Sequence, residues 1–139
     1  MLSVVYVSTA TAPFSDEHLV ALLEKSRTNN TRLELTGLLL YKDGQFMQAL
    51  EGPDDAVQAL YAVIERDPRH RNVRALVREQ IAERQFPDWS MGFRTLTDEA
   101  LQAIPGYSDF LDAPKGASAF WGDRTRAQWL LRWFRRHGV

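Results

Sequence analysis

Three features of the sequence predict an α+β fold in the order β-α-β-β-α-β, followed by an additional fifth strand and C-terminal helices. One tight-turn signal separates two apolar runs, two segments repeat apolar residues at helical spacing, and short β-branched runs flank them. In that order two helices cover one face of an antiparallel-rich sheet, which is the ferredoxin-like arrangement.

The first strand is read over Leu2 to Val7, where β-branched residues accompany Tyr6. Ser15 supplies the oxygen of an N-cap, Asp16 and Glu17 suit the helix dipole, and Leu19, Leu22 and Leu23 make an apolar stripe. Asn29 and Asn30 are expected to end that helix, because Asn tolerates the left-handed backbone that closes helices. Leu35 to Tyr41 and Gln45 to Leu50 flank Lys42-Asp43-Gly44, a hairpin in which Gly provides positive φ. Gly52-Pro53-Asp54-Asp55 opens a second helix whose Val57, Leu60, Tyr61 and Ile64 share one face.

A charged loop from Glu65 to Asn72 leads to a strand near Val73 to Ile81, and a further extended segment runs from about Trp89 to Leu96. Thr97-Asp98-Glu99 reads as the cap of a short helix. Asp123 to His137 reads as a longer one, with Ala127, Leu130, Leu131 and Phe134 on a stripe widened by Trp129 and Trp133. So apolar a helix must cover something: the sheet face left bare by the first two helices, or another subunit. The organisation is therefore a domain over residues 1–96 and a helical extension over 97–139.

With 139 residues, 45% of them hydrophobic and 25% charged, the chain has the size and composition of a single globular domain with an appendage, which excludes a multidomain enzyme and a disordered chain. A net charge of -1 provides no global attraction to nucleic acid or anionic membrane. Zero cysteines remove disulfides, thiolate nucleophiles and Cys-based metal sites, and the three histidines, His18, His70 and His137, are scattered. The apolar run at the N-terminus is too short for a membrane span and follows no basic region, so a cytoplasmic protein is expected. The adjacent acids Asp54-Asp55 and Asp98-Glu99 sit at helix starts, where dipole and capping explain them, and no nucleophile-elbow, phosphate-loop or zinc-protease motif is present.

Alternation in the strand over Gln45 to Leu50 puts Phe46, Gln48 and Leu50 on one face, so if the apolar pair points into the core, Gln48 does too. A buried carboxamide left bare costs about 1–3 kcal/mol. Its partner is either Tyr6 or a backbone group, or else a flat heteroaromatic ligand with a mixed donor and acceptor edge.

Tyr6, Asn30, Gln48, Trp89 and Met91 stand in the order and spacing of a known family, and the text around them agrees: N-N-x-x-x-x-x-T-G-L-L-L-Y, then G-Q-F-M-Q-A-L-E-G, D-P-R-H and F-P-D-W-S-M-G-F. From about Ser3 to Leu96 the chain resembles BLUF domains, sensors of blue light using FAD. The resemblance implies a non-enzymatic photoreceptor that binds FAD non-covalently, with FMN or riboflavin as alternative occupants because the determinants lie on the ring. It places the ring between the two helices. Asn30 would hydrogen-bond the pyrimidine carbonyl and imide edge, and Gln48 would bridge the Tyr6 hydroxyl to flavin N5 or O4. Arg69 and His70 would contact the ring from the loop after the second helix, which Asp67 helps to order. Ser26 would sit near the tyrosine network, Asn29 would join the cofactor-binding residues, and Lys25, Arg27 and Arg32 would meet the phosphates. In the family's photocycle an electron and a proton pass from Tyr to flavin and return, leaving only the Gln amide rearranged. The bistable element is expected to be a strand from Trp89 to Phe93, on which Trp89 and Met91 share a face.

Since the chain ends at Val139 without an effector domain, its output is expected through a downstream protein partner or self-association of the C-terminal helices, as a homo-oligomer. Arg124, Arg126, Arg132, Arg135 and Arg136 face away from the apolar stripe, but no recognition-helix motif accompanies them and DNA binding is disfavoured. The alternatives on the same scaffold are an acylphosphatase-type enzyme using Arg69 and Asn30, and an RNA-binding sheet, for which the RNP1 pattern is missing.

Overall fold

Strand alternation divides the apolar side chains between two cores, one on each face of a single sheet. The computed structural model describes residues 1–12, 14–97, 99 and 124–137. Its elements are β1 (Leu2–Ala10), α1 (Asp16–Leu33), β2 (Thr36–Lys42), β3 (Gln45–Gly52), α2 (Asp54–Arg66), β4 (His70–Gln80), β5 (Gly92–Thr95) and α3 (Arg124–His137). The strands lie in the order β4-β1-β3-β2-β5, antiparallel except where β5 runs parallel to β2. This is the α+β, ferredoxin-like order with a fifth strand and a C-terminal helix.

On one face Val4, Tyr6, Leu39, Tyr41, Phe46 and Leu50 pack under Leu19 and Leu23 of α1 and Val57 and Tyr61 of α2. On the other, Val5, Val7, Leu38, Leu40, Met47 and Ala49 pack with Leu130, Leu131 and Phe134 of α3. The C-terminal helix thus covers the sheet face that α1 and α2 leave bare. The β2–β3 turn has positive φ at both Asp43 (49°) and Gly44 (79°), the pattern of a two-residue hairpin whose twist matches its strands. At Gly37 the sheet demands a missing side chain, since a Cβ there would overlap the Ala49 carbonyl oxygen.

Several boundaries differ from the sequence reading. Helix α1 does not end at Asn29 and Asn30 but continues to Leu33, where Glu34 enters the left-handed region (φ 59°) and the Leu35 N–H donates to the Asn30 carbonyl at 2.8 Å. Asn30 is 2% exposed, and its side-chain amide bonds a distant carbonyl, so it does not compete for the helix's own backbone. Strand β4 starts at His70 because β1 extends past Val7 and pairs Thr9 with Arg71 and Ala10 with His70. The extended segment at Trp89 shrinks to β5, leaving Trp89 to Met91 outside the ladder. The short helix after Thr97 and the Ala127 side chain fall outside the described residues.

Among the polar groups of the core, Glu51 is 1% exposed. Its carboxylate accepts from the backbone N–H groups of Gln85 (2.8 Å) and Phe86 (2.6 Å) and from the Thr36 hydroxyl (2.9 Å). Arg84 closes the same corner, donating to Thr36 Oγ1 at 3.0 Å and to the Glu34 carbonyl at 2.8 Å. One buried anion therefore anchors the start of the irregular segment between β4 and β5. Glu51→Ala orphans two backbone amides, that of Phe86 buried and that of Gln85 partly so, and is expected to lower the unfolding free energy by on the order of 3 kcal/mol in urea denaturation. Glu51→Gln keeps an acceptor oxygen and is expected to lose less; equal losses would mean that the carboxylate's bonds to the loop do not hold it.

Candidate functional site

The register of β1 against β3 sets Tyr6 directly opposite Gln48, on the face covered by α1 and α2. Tyr6 is 2% and Gln48 7% exposed. The Tyr6 hydroxyl donates to Gln48 Oε1, and Gln48 Nε2 donates to Met91 Sδ at 3.4 Å. The amide is thus oriented by a strong donor on one side and a weak sulfur acceptor on the other. Burial pushes the Tyr6 phenol far above its ordinary value of 10.0, with Tyr61 and Asp67 adding to the effect. Tyr6 is therefore held as a neutral phenol whose proton points at the Gln48 oxygen.

Tyr6 and Gln48 floor a cleft of about 180 Å³ between α1 and α2. Leu22 and Ser26 of α1 face Leu60, Val63 and Ile64 of α2 across it, and Asn30, Leu39 and Phe46 complete its inner end. Asn30 donates through Nδ2 to the Ser90 carbonyl at 2.7 Å, and no donor among the described residues meets its Oδ1. Toward solvent stand Lys25, Asn29, Asp67, Arg69 and His70. Arg69 grips Asp67 through Nε (3.0 Å to each oxygen) and Nη2 (2.6 Å), which holds the Asp67 carboxyl below the usual carboxylate range. His70 Nδ1 lies 3.0 Å from Ser8 Oγ, and its ring meets Phe46 edge-on at 5.2 Å. A second cavity, about 440 Å³, continues the cleft along α1, sharing Leu22, Lys25 and Arg69 with it.

Of the residues that the sequence nominates for the cofactor, all line this cleft but two arginines, of which Arg27 instead donates through Nε to the Met91 carbonyl at 2.9 Å. Arg32 also lies outside the lining. His70 belongs to β4 and not to a loop. The shared face of Trp89 and Met91 is a further correction. Met91 is 1% exposed in the core under α1 and α2, whereas Trp89 packs into the opposite core and stacks on Phe86 (5.8 Å, 23°). A turn closed by the Trp89 N–H on the Phe86 carbonyl precedes them, so strand alternation does not apply. Sequence reasoning also missed that Leu22, Leu60 and Ile64 wall a cleft. They read as core, and only Val63, 55% exposed beside them, departs from that stripe.

The family model for BLUF, "sensors of blue-light using FAD", matches residues 1–92. The chain belongs to the BLUF family. It is 38% identical over 112 residues to the photoactivated adenylate cyclase subunit beta of Euglena longa, covering 80% of this chain and 13% of that protein. The dark-state structure of the BLUF protein BlrB superposes with a TM-score of 0.69 at 34% identity, covering 91% of this chain and 95% of that one. Klebsiella pneumoniae BlrP1 with FMN gives 0.66 at 30% identity, over 99% of this chain and 35% of that one. The chain spans only a small part of the curated relatives it matches.

A BLUF domain is a flavin-binding blue-light sensor and not an enzyme. The residues here fit a flavin: apolar walls for the faces of a ring, and a phenol, two carboxamides and the unmet Asn30 Oδ1 for its polar edge. The acylphosphatase alternative loses its Arg, since Arg69 is committed to Asp67. Among the described residues no helix is long and apolar enough to cross a membrane, and no His/Cys/Asp/Glu group could hold a metal ion.

Burial lowers His70 below its ordinary 6.5, opposed by Asp67. Below pH 6.5 the unfolded chain therefore binds a proton that the folded chain does not yet hold, so stability is full above that pH and falls as pH drops through the window. Urea titrations across this range are expected to show that loss. His70→Asn, which keeps a polar group near Ser8 but does not titrate, should flatten it; an unchanged slope would assign the loss elsewhere.

Proposed function

We propose that this chain senses blue light through a hydrogen-bond switch at Gln48, with Tyr6 as electron and proton donor and Met91 as the first recipient of the signal. The observation that carries the reading is the continuous buried chain that runs from Tyr6 and Gln48, on the floor of the cleft, to Met91 beneath it. When bound, the flavin supplies a blue-absorbing chromophore whose excited state is a strong oxidant. To that oxidant Tyr6 would lend an electron and its phenolic proton, with the Gln48 amide relaying the proton, and the return of both to Tyr6 would leave no net redox change. Gln48 is left as a rotamer or tautomer with an altered donor pattern, which shifts absorption to the red. No covalent bond holds this state, and it decays thermally.

Asn30 orients the polar edge of the ring by its free Oδ1, while Ser26, Asn29, Asp67, Arg69 and His70 close the cleft around it. Lys25, common to both cavities, stands where a phosphate-bearing side chain leaves the cleft. FAD is the cofactor the family description names, and FMN, present in the Klebsiella structure, suits the same ring site. Residues 1–96 form the sensor and 97–139 the extension that receives its signal. Met91 touches Gln48 from one core and Trp89 lies in the core shared with α3, so the segment joining them passes the switch through the sheet layer to α3. From there a protein partner, or a second copy of the chain, reads it.

Absorption spectroscopy of the purified chain tests this. Gln48→Leu should keep its flavin and lose the reversible red shift, and Tyr6→Phe should bind flavin without a normal photocycle; a full shift in both variants rejects the mechanism. Lys25→Ala should weaken FAD and FMN by about fivefold while leaving riboflavin unchanged. Equal effects on all three flavins, measured by fluorescence titration, would remove Lys25 from the phosphates.

A further inference from the structure

We propose that Arg27 is a positioning residue for the Met91 segment, and that its bond to the Met91 carbonyl sets the lifetime of the light-adapted state. The proposal rests on the switch described above, and its basis is how the irregular segment before β5 is held. Arg27 and Asn30 lie one helical turn apart on α1 and so present their side chains to the same side. Arg27 Nε donates to the carbonyl of Met91 at 2.9 Å and Asn30 Nδ2 to that of Ser90 at 2.7 Å. Two consecutive carbonyls are thereby fixed to one helix. At its far end the segment is anchored by Glu51, and between these points the Trp89 carbonyl accepts from the Gly37 N–H at 3.0 Å.

This backbone clamp determines where Met91 Sδ can sit. In the dark arrangement Sδ faces Gln48 Nε2, a donor. Once the amide rearranges, the group facing Sδ is no longer the same donor, and a thioether makes only a weak bond to begin with. Met91 is then released on its side-chain side but still held by Arg27 on its backbone side. The Arg27 bond is therefore a contact of the dark arrangement that opposes displacement of the segment and draws it back. Arg27 lines neither cavity, so this role does not depend on contact with the cofactor.

The test uses the flavin-loaded full chain. Arg27→Gln is expected to leave FAD and riboflavin affinity and the size of the red shift unchanged. Thermal recovery in the dark should slow by about fivefold, the worth of one modest hydrogen bond. Methyl-labelled methionine provides a readout that general destabilisation would not move: there are three methionines, and Met91→Leu assigns the signal. In unilluminated Arg27→Gln the Met91 methyl resonance should lie part-way toward its position in the illuminated wild type, and Arg27→Lys, which keeps a donor near the carbonyl, should restore most of the lifetime. An unchanged or faster recovery with an unmoved resonance overturns the proposal. So does a loss of FAD affinity with riboflavin unaffected, which would make Arg27 a phosphate ligand. Absence of any red shift in the wild type would instead sink the light-sensing reading itself.

Discussion

The buried contact between the Tyr6 hydroxyl and the Gln48 carbonyl is the constraint around which the rest of this chain is arranged. It exists because β1 and β3 pair in a register that sets the two residues opposite each other on the helix-covered face. A slip of one residue would turn Gln48 toward the α3 core, where Met47 and Ala49 now sit. A carboxamide has more hydrogen-bonding capacity than one phenol and one sulfur satisfy. The cleft above it provides for the remainder with a polar ligand edge and with apolar side chains against the ligand's faces. Burial also keeps Tyr6 protonated, so its hydroxyl is a donor to Gln48 and not a charged acceptor.

The two cores give this site a direction. The sheet lies between a layer under α1 and α2, which contains the Tyr6–Gln48 pair and the cleft, and an apolar layer under α3. Strand residues reach both layers by alternation, but a ladder transmits little because each of its rungs resists displacement. The stretch from Phe86 to Met91 reaches both layers without being a ladder: Phe86 and Trp89 pack on the α3 side and Met91 on the other. Side-chain bonds from Glu51, Arg27 and Asn30, together with single backbone bonds, hold it in place of sheet pairing. Such bonds are individually worth about 1 kcal/mol, small enough to be exchanged for others.

Much of this was legible in the sequence, and the rest failed for identifiable reasons. The hairpin, the two helices and the inward direction of Gln48 follow from turn chemistry and periodicity, which are local. The cofactor residues were legible only through the concatenated motif of a family, because no single amide or arginine in them announces a flavin. The end of α1 was misread since Asn30 was judged as a helix terminator, when its side chain serves a partner sixty residues away. The family resemblance points Arg27 at the phosphates, and only the fold shows the carbonyl it meets. Trp89 and Met91 were placed on one face by a strand period that a preceding turn cancels. In each case a contact distant in sequence overrode a sound local rule.

A switch that changes only one amide has a small free-energy difference to work with, bounded by the few hydrogen bonds that change. It can shift an equilibrium only by as much as the two amide states differ in their interaction with the element that responds. That element must therefore be near balance already. β1 is not near balance: nine residues long, it is paired on both sides. β5 is only four residues long, pairs with β2 alone among the described residues, and is entered through the clamped segment that contains Met91. The shortest described strand of the sheet thus adjoins Met91, the residue that touches Gln48, and a bias worth one or two hydrogen bonds is comparable with the few bonds that hold that strand's entry in place.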